Sequence, residues 1–338
     1  MTIAVVLLLG AVVAGLVWFT ANISRKVEAA LPPRGQFMEI EGDRIHYVDT
    51  GGTGLAIVMI HGLGGNLLHF GYALAGLLAT EFRLIVVDRP GSGYSTRAAG
   101  ADATLASQAS VIAKLIGALG LTRPLLVGHS LGGAISLALA LDHPDCVGGL
   151  ALIAPLTHAR GEVPAVFRGL VIRTNLVRNL VAWTLATPLG ILRGPAALKE
   201  VFAPEAVAPD FLLRAGGLLG LRPKAFYATS SDIVVINDVL PDYMKRYSSL
   251  NLLFGILFGK DDRLLDYRAQ GEAMKLSCPA LDLELIDGGH MLPMTAPDRC
   301  AALIRRIAGR RQHVSQDAPE VARRLDQVFT QRRGALCI

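Results

Sequence analysis

Gly128-His129-Ser130-Leu131-Gly132 is the stretch on which the reading of this chain turns. It follows the short apolar run Leu125 to Val127 and opens the helical pattern Leu131 to Leu141. A serine between two such glycines, at a strand-to-helix junction, sits on a sharp and strained turn. Side chains two positions either side would collide with the backbone there, so both flanks are Gly and the hydroxyl projects from the edge of the sheet. Ser130 is therefore the candidate nucleophile.

Working outward, Leu55 to Ile60, Leu84 to Val87, Gly149 to Ile153 and Leu252 to Phe258 are further short apolar runs, and Leu281 to Ile286 alternates more. Strands apolar on both faces, separated by helical stretches such as Thr104 to Leu119, describe a mostly parallel sheet covered on both sides, the α/β class. Phe37 to Asp49 reads as a hairpin before the Gly51-Gly52-Thr53-Gly54 turn. Between about Leu156 and Ile236 the rhythm breaks into apolar helical sequence punctuated by Pro188, Gly190, Gly194, Pro195, Pro204 and Pro209. Roughly 80 residues without a core strand exceed a single crossover, and a helical insertion is expected.

A serine hydroxyl needs a base, and the base needs a carboxylate to orient it. Asp287-Gly288-Gly289-His290 follows the last strand, and its glycines allow close approach to the nucleophile. His290 is the candidate base. Gly259-Lys260-Asp261-Asp262 follows the strand before it, with two adjacent carboxylates of which one can face His290. Attack on an ester also creates an oxyanion that fixed N–H donors must meet. Leu131 supplies one, and Leu63, in His61-Gly62-Leu63-Gly64-Gly65 after the first parallel strand, is the candidate for the other.

The chain opens with the uncharged run Ile3 to Phe19, followed by Arg25 and Lys26. This meets the ~17–25 residues a membrane span requires. No Lys or Arg precedes the run, so a retained anchor is expected rather than a cleaved signal. The basic flank places the C-terminal side in the cytoplasm. The net charge of +5 does not point to nucleic acid, because the segment from Arg305 onward, with eight Arg against three acids, accounts for all of it. Cys146, Cys278, Cys300 and Cys337 are scattered without C-x-x-C spacing, so neither a zinc site nor a disulfide framework is signalled.

Taken together, His61-Gly62, Asp88-Arg89-Pro90-Gly91-Ser92-Gly93, Gly128-His129-Ser130-Leu131-Gly132, Gly259-Lys260-Asp261-Asp262 and Gly289-His290 resemble the α/β-hydrolase superfamily from about Phe37 to Gly309. The resemblance implies an eight-stranded sheet, a helical cap and a hydrolase without a cofactor. The family's G-x-x-D pattern favours Asp262 over Asp261, giving Ser130, Asp262 and His290 as the expected triad. Dehalogenase-like and epoxide-hydrolase-like members carry Asp where Ser130 stands, so those reactions are disfavoured. The expected organisation is a transmembrane segment over 1–24, a linker over 25–36, core over 37–155, cap over 156–236, core over 237–309 and an Arg-rich tail over 310–338. The apolar cap residues Val166, Phe167, Leu170, Val171 and Ile172 suit an acyl chain, and an anchor favours a lipidic ester. A carbon-carbon bond hydrolase of the aromatic-degradation type shares the same pattern, and some members with this fold bind without turnover.

Overall fold

Apolar residues alternate along the strands in a way that serves two cores at once. The computed structural model describes residues 2–159 and 161–311, and its strands are β1 (Gln36–Ile40), β2 (Asp43–Asp49), β3 (Ala56–Ile60), β4 (Arg83–Val87), β5 (Leu125–His129), β6 (Gly149–Ile153), β7 (Phe254–Gly259) and β8 (Asp282–Ile286). They form one eight-stranded sheet in the order β1-β2-β4-β3-β5-β6-β7-β8. β1, β2 and β4 pair antiparallel, and β3 to β8 with β4 are parallel. The expected α/β class and mostly parallel eight-stranded sheet are both observed.

On one face Val58, Ile60, Leu126, Leu152 and Ile256 pack under helices α2 (Leu105–Ala118) and α3 (Leu131–Asp142), and on the other Ile57, Met59, Val127, Ile153 and Leu257 pack under a C-terminal helix over 297–311. Successive strand residues point to opposite faces, so each apolar run feeds both layers. Thr104 caps α2, its side-chain oxygen accepting from Ser107 N at 3.2 Å.

The insertion between β6 and β7 is helical and includes α4 (Asn175–Thr184), α5 (Ala186–Phe202) and α6 (Pro223–Met244). α6 runs past the expected boundary at 236 because Ile236, Leu240 and Tyr243 continue its apolar stripe into the main core.

The N-terminal helix, α1, is a single helix over Thr2–Ala30, long and apolar enough to cross a membrane, with a mean hydropathy of 2.6 over an 18-residue stretch. It does not end at the expected linker start near 25. Arg25, Lys26, Glu28, Ala29 and Ala30 are good helix formers, and Pro32-Pro33 provides the stop. From Leu16 onward the helix is partly covered, packing on α4, α5 and the 3-10 turn Gly217–Leu221. Thr20 and Val27 are buried there, and Glu28 pairs with the fully buried guanidinium of Arg222 at 3.2 Å. The short connection to β1 is pinned as well. The Tyr94 hydroxyl donates to the Leu31 carbonyl, and His46 bridges the Arg34 carbonyl at 2.9 Å and Asp88 at 2.7 Å. Residues 312–338 of the Arg-rich tail, with Cys337, lie outside the described residues.

Candidate active site

Ser130 stands between β5 and α3 with φ 54° and ψ −118°, a conformation costly for a residue with a side chain. The turn is held in place by its neighbours. Ser130 N donates to the Ile153 carbonyl at 3.1 Å, while the Ser130 carbonyl accepts from Gly133 N at 2.9 Å and Leu156 N at 3.0 Å. A Cβ at Gly128 would fall 2.5 Å from the Gly132 carbonyl oxygen, and one at Gly132 would fall 2.0 Å from that of Ile60. These two glycines are thus sterically required. Leu131 is the first residue of α3, so its N–H has no acceptor within the helix and remains free for an oxyanion.

Asp262, just past the end of β7, and His290, just past the end of β8, are brought together. Asp262 Oδ2 lies 2.7 Å from His290 Nδ1, with side-chain exposures of 0% and 5%. A carboxylate only accepts, so the bond places a hydrogen on Nδ1 and leaves Nε2 as the free base. The other carboxylate oxygen, Oδ1, accepts from Leu264 N at 2.8 Å and Leu265 N at 2.9 Å, fixing the acid's rotamer. Asp261 points elsewhere. It is exposed, and its Oδ2 accepts from Gly288 N at 3.1 Å, bracing the loop that carries His290.

Two side chains not picked out from the sequence also hold that loop. His129 donates from Nε2 to the His290 carbonyl at 3.0 Å, and burial pushes its pKa well below the ordinary histidine value. From the cap, the Glu205 carboxylate accepts from Gly289 N at 3.0 Å.

Leu63 lies in a turn closed by Gly65 N donating to the Gly62 carbonyl at 3.3 Å, so the Leu63 amide is not consumed by the turn. The loop is fastened from beneath by Arg89, which is fully buried. Its Nε donates to the His61 carbonyl at 3.0 Å, its Nη2 to the Gly62 carbonyl at 3.1 Å, and its Nη1 to Gln108 at 2.7 Å and Asp232 at 2.8 Å. Asp232, on cap helix α6, has no solvent exposure and also accepts from Arg97 at 2.8 Å. Arg89 N donates to His61 Nε2 at 3.1 Å while His61 Nδ1 donates to the Gly62 carbonyl at 2.8 Å, an arrangement that needs a neutral imidazole. Burial and the Arg89 charge both hold His61 well below its ordinary pKa. The Asp88-Arg89-Pro90-Gly91 stretch after β4 was a signal for Arg89. Nothing in sequence spacing pointed to Asp232 or Glu205.

Ser130, His290, Leu63 and Leu131 line one cavity of about 1420 Å³ between core and cap. Its far wall is apolar, with Phe167, Leu170, Phe202, Phe211, Ile233 and Ile236. Among the described residues its charged side chains are Glu162, Arg193 and Glu200. No group of three or more His, Cys, Asp or Glu among the described residues is placed to hold a metal.

The model of a family described as alpha/beta hydrolase fold matches residues 56–297, a span that holds Leu63, Ser130, Asp262 and His290. The chain is 29% identical over 270 residues to the Magnesium-chelatase 30 kDa subunit of Rhodobacter capsulatus, covering 76% of this chain and 88% of that protein. It is 28% identical over 227 residues to the 2-hydroxy-6-oxononadienedioate/2-hydroxy-6-oxononatrienedioate hydrolase of Burkholderia vietnamiensis, covering 66% and 76%. Among solved structures, an alpha/beta hydrolase fold protein from Burkholderia ambifaria has the same fold, with a TM-score of 0.67 at 23% identity over 80% of this chain and 96% of that one.

Proposed function

The chain belongs to the α/β-hydrolase fold family of enzymes, and from that premise we propose that it is a membrane-anchored serine hydrolase cleaving a carboxylic ester with an apolar acyl group. The observation that carries this reading is the 2.7 Å contact of Asp262 with His290, on the wall of the cavity that also contains Ser130 on its strained turn. In the proposed mechanism His290 Nε2 takes the Ser130 proton as Oγ attacks the ester carbonyl, and the Leu63 and Leu131 amides meet the oxyanion. The imidazolium, stabilised by Asp262, returns the proton to the leaving alcohol. Water then repeats the sequence on the acyl-Ser130 intermediate and releases the acid.

A second reading, carbon-carbon bond hydrolysis, is favoured by the likeness to the Burkholderia vietnamiensis hydrolase, whose named substrates are dioates. A dianion needs cationic partners, however. The described charged residues of this cavity are two acids and one Arg, which argues for an uncharged ester.

The reading includes a span by the N-terminal helix, with the catalytic domain on the cytoplasmic side because Arg25 and Lys26 follow the apolar run. Protease protection in right-side-out vesicles tests the orientation, and rapid digestion of the catalytic domain from outside rejects it.

Labelling by a fluorophosphonate probe tests the site without knowledge of the substrate. Wild type should be labelled at Ser130, and Ser130→Ala and His290→Ala should not. Full labelling of the Ser130→Ala protein would remove the assignment, and an unlabelled wild type would favour a binding protein. A panel of p-nitrophenyl esters of increasing chain length then separates an apolar ester from a dianionic ketone.

A further inference from the structure

The N-terminal helix does not leave the domain cleanly. Its uncharged stretch, Ile3 to Ser24, rises about 33 Å, which matches a hydrocarbon layer of about 30 Å. Only Ile3 to Gly15 is wholly exposed, and this piece rises about 20 Å. The remaining depth must come from residues 16–24, which are mostly half-buried and belong to the part of the helix covered by α4, α5 and Gly217–Leu221. If the helix spans, those cap elements lie at membrane depth.

Their surface is suited to that position. Leu176, Leu180 and Trp183 form one stripe along α4, at 79%, 55% and 41% exposure, and Leu192 on α5 is 75% exposed. A contiguous apolar face of this kind is unusual against water. Arg193 and Lys199 on α5 are exposed and suited to anionic headgroups, whereas Arg168 and Arg173 are paired with Glu162 and Asp238 and Arg178 is buried. Leu189 and Ile191 on α5 are partly exposed and also line the cavity, so α5 carries both part of the apolar face and part of the cavity wall.

We propose that the α4–α5 face of the cap is sunk into the same bilayer that the N-terminal helix spans, and that the cavity takes its ester from the lipid phase past Leu189 and Ile191. The proposal rests on the anchor and ester readings above and adds to them the source of the substrate.

The chain has two tryptophans, one on each part of the surface in question: Trp18 on the N-terminal helix and Trp183 on α4. The full-length Trp18→Phe protein is reconstituted in vesicles of phosphatidylcholine and phosphatidylglycerol with acyl-chain-brominated lipid. Trp183 emission should fall at least twofold, and aqueous iodide should quench it little. Trp183→Phe reports Trp18 alone in the same vesicles. Quenching of Trp183 by iodide but not by brominated lipid, with Trp18 quenched by lipid, overturns the immersed cap and leaves the anchor standing. Absence of lipid quenching at both positions removes the anchor and the proposal together. Protection of Trp183 from both quenchers means that protein, such as a second copy of the chain, covers the face, and this also overturns the proposal.

A turnover experiment tests the source of substrate. Leu176→Glu combined with Leu192→Glu, neither of which lines the cavity, should raise KM for a long-chain ester dissolved in vesicles about tenfold. Turnover of p-nitrophenyl acetate in detergent should change less than twofold. An unchanged KM for the vesicle substrate rejects lipid-phase delivery. The fluorescence readout is independent of turnover, so failure of the ester reading would be seen separately.

Discussion

Arg89 and Asp232, 143 positions apart in sequence and both without solvent exposure, are joined at 2.8 Å across the boundary between core and cap. Through the same guanidinium the cap is tied to the carbonyls of His61 and Gly62, in the loop proposed to hold the oxyanion. Removing one partner strands a buried charge, so Asp232→Ala should destabilise by about 3–5 kcal/mol, read as a lowered denaturant midpoint. Arg89→Met with Asp232→Leu should regain part of that stability, because no fully buried charge is left unpaired and Arg97, 12% exposed, is the one cation that loses its partner. Esterase activity should stay low in the double variant, since the loop is no longer fastened. Full activity there would mean that Arg89 serves stability alone.

The two adjacent carboxylates should separate sharply. Asp262→Asn keeps the shape but favours the wrong imidazole tautomer and cannot stabilise imidazolium, so kcat should fall by about 10³-fold or more. Asp261→Asn keeps an oxygen that can accept from Gly288 N and should cost less than tenfold. Measuring kcat for both variants on one p-nitrophenyl ester decides the matter, and the reverse ranking would move the acid to Asp261.

Gly132→Ala places a methyl 2.0 Å from a backbone oxygen of β3, which cannot move without disturbing the sheet. The expected cost is about 3 kcal/mol, the upper end for overpacking. Thermal unfolding measures it, and a wild-type midpoint would contradict the close approach.

Acid should weaken the fold through buried and half-buried histidines. Burial pushes His69 down to about 4 and holds His61 and His129 well below the usual value. The unfolded chain takes up these protons near pH 6.5, whereas the folded chain resists them. The stability is therefore fully present above pH 6.5 and is lost as pH falls toward about 4. Denaturant midpoints at pH 7.5 and pH 4.5 should differ accordingly, with the lower one at pH 4.5.

Local chemistry was legible in the sequence, and long-range partnership was not. The strand-turn-helix around Ser130 could be read because the steric demand at Gly128 and Gly132 falls within five residues. Asp261 and Asp262 could not be separated by their residues alone, since both end the same strand, and the preference for Asp262 came from the family pattern. Asp232, Glu205 and Arg222 act through partners more than 80 positions away, and no spacing rule reaches that far. The N-terminal helix was expected to end at its first basic residues. Hydropathy marks where a helix leaves lipid, however, while its end is set by Pro32-Pro33 and by packing on the cap.

That continuous helix has a mechanical consequence. With Leu31 and Arg34 pinned to the domain and no slack between helix and sheet, the domain cannot swing on a tether. Under the proposed span, its height and tilt over the bilayer would be set by the helix itself. A thicker or thinner bilayer would then act as a lever on the whole body, drawing the cavity mouth inward or lifting it toward the headgroups. Under the proposed span, membrane thickness would become a variable of the enzyme, in the way that hinge angle is for a tethered one.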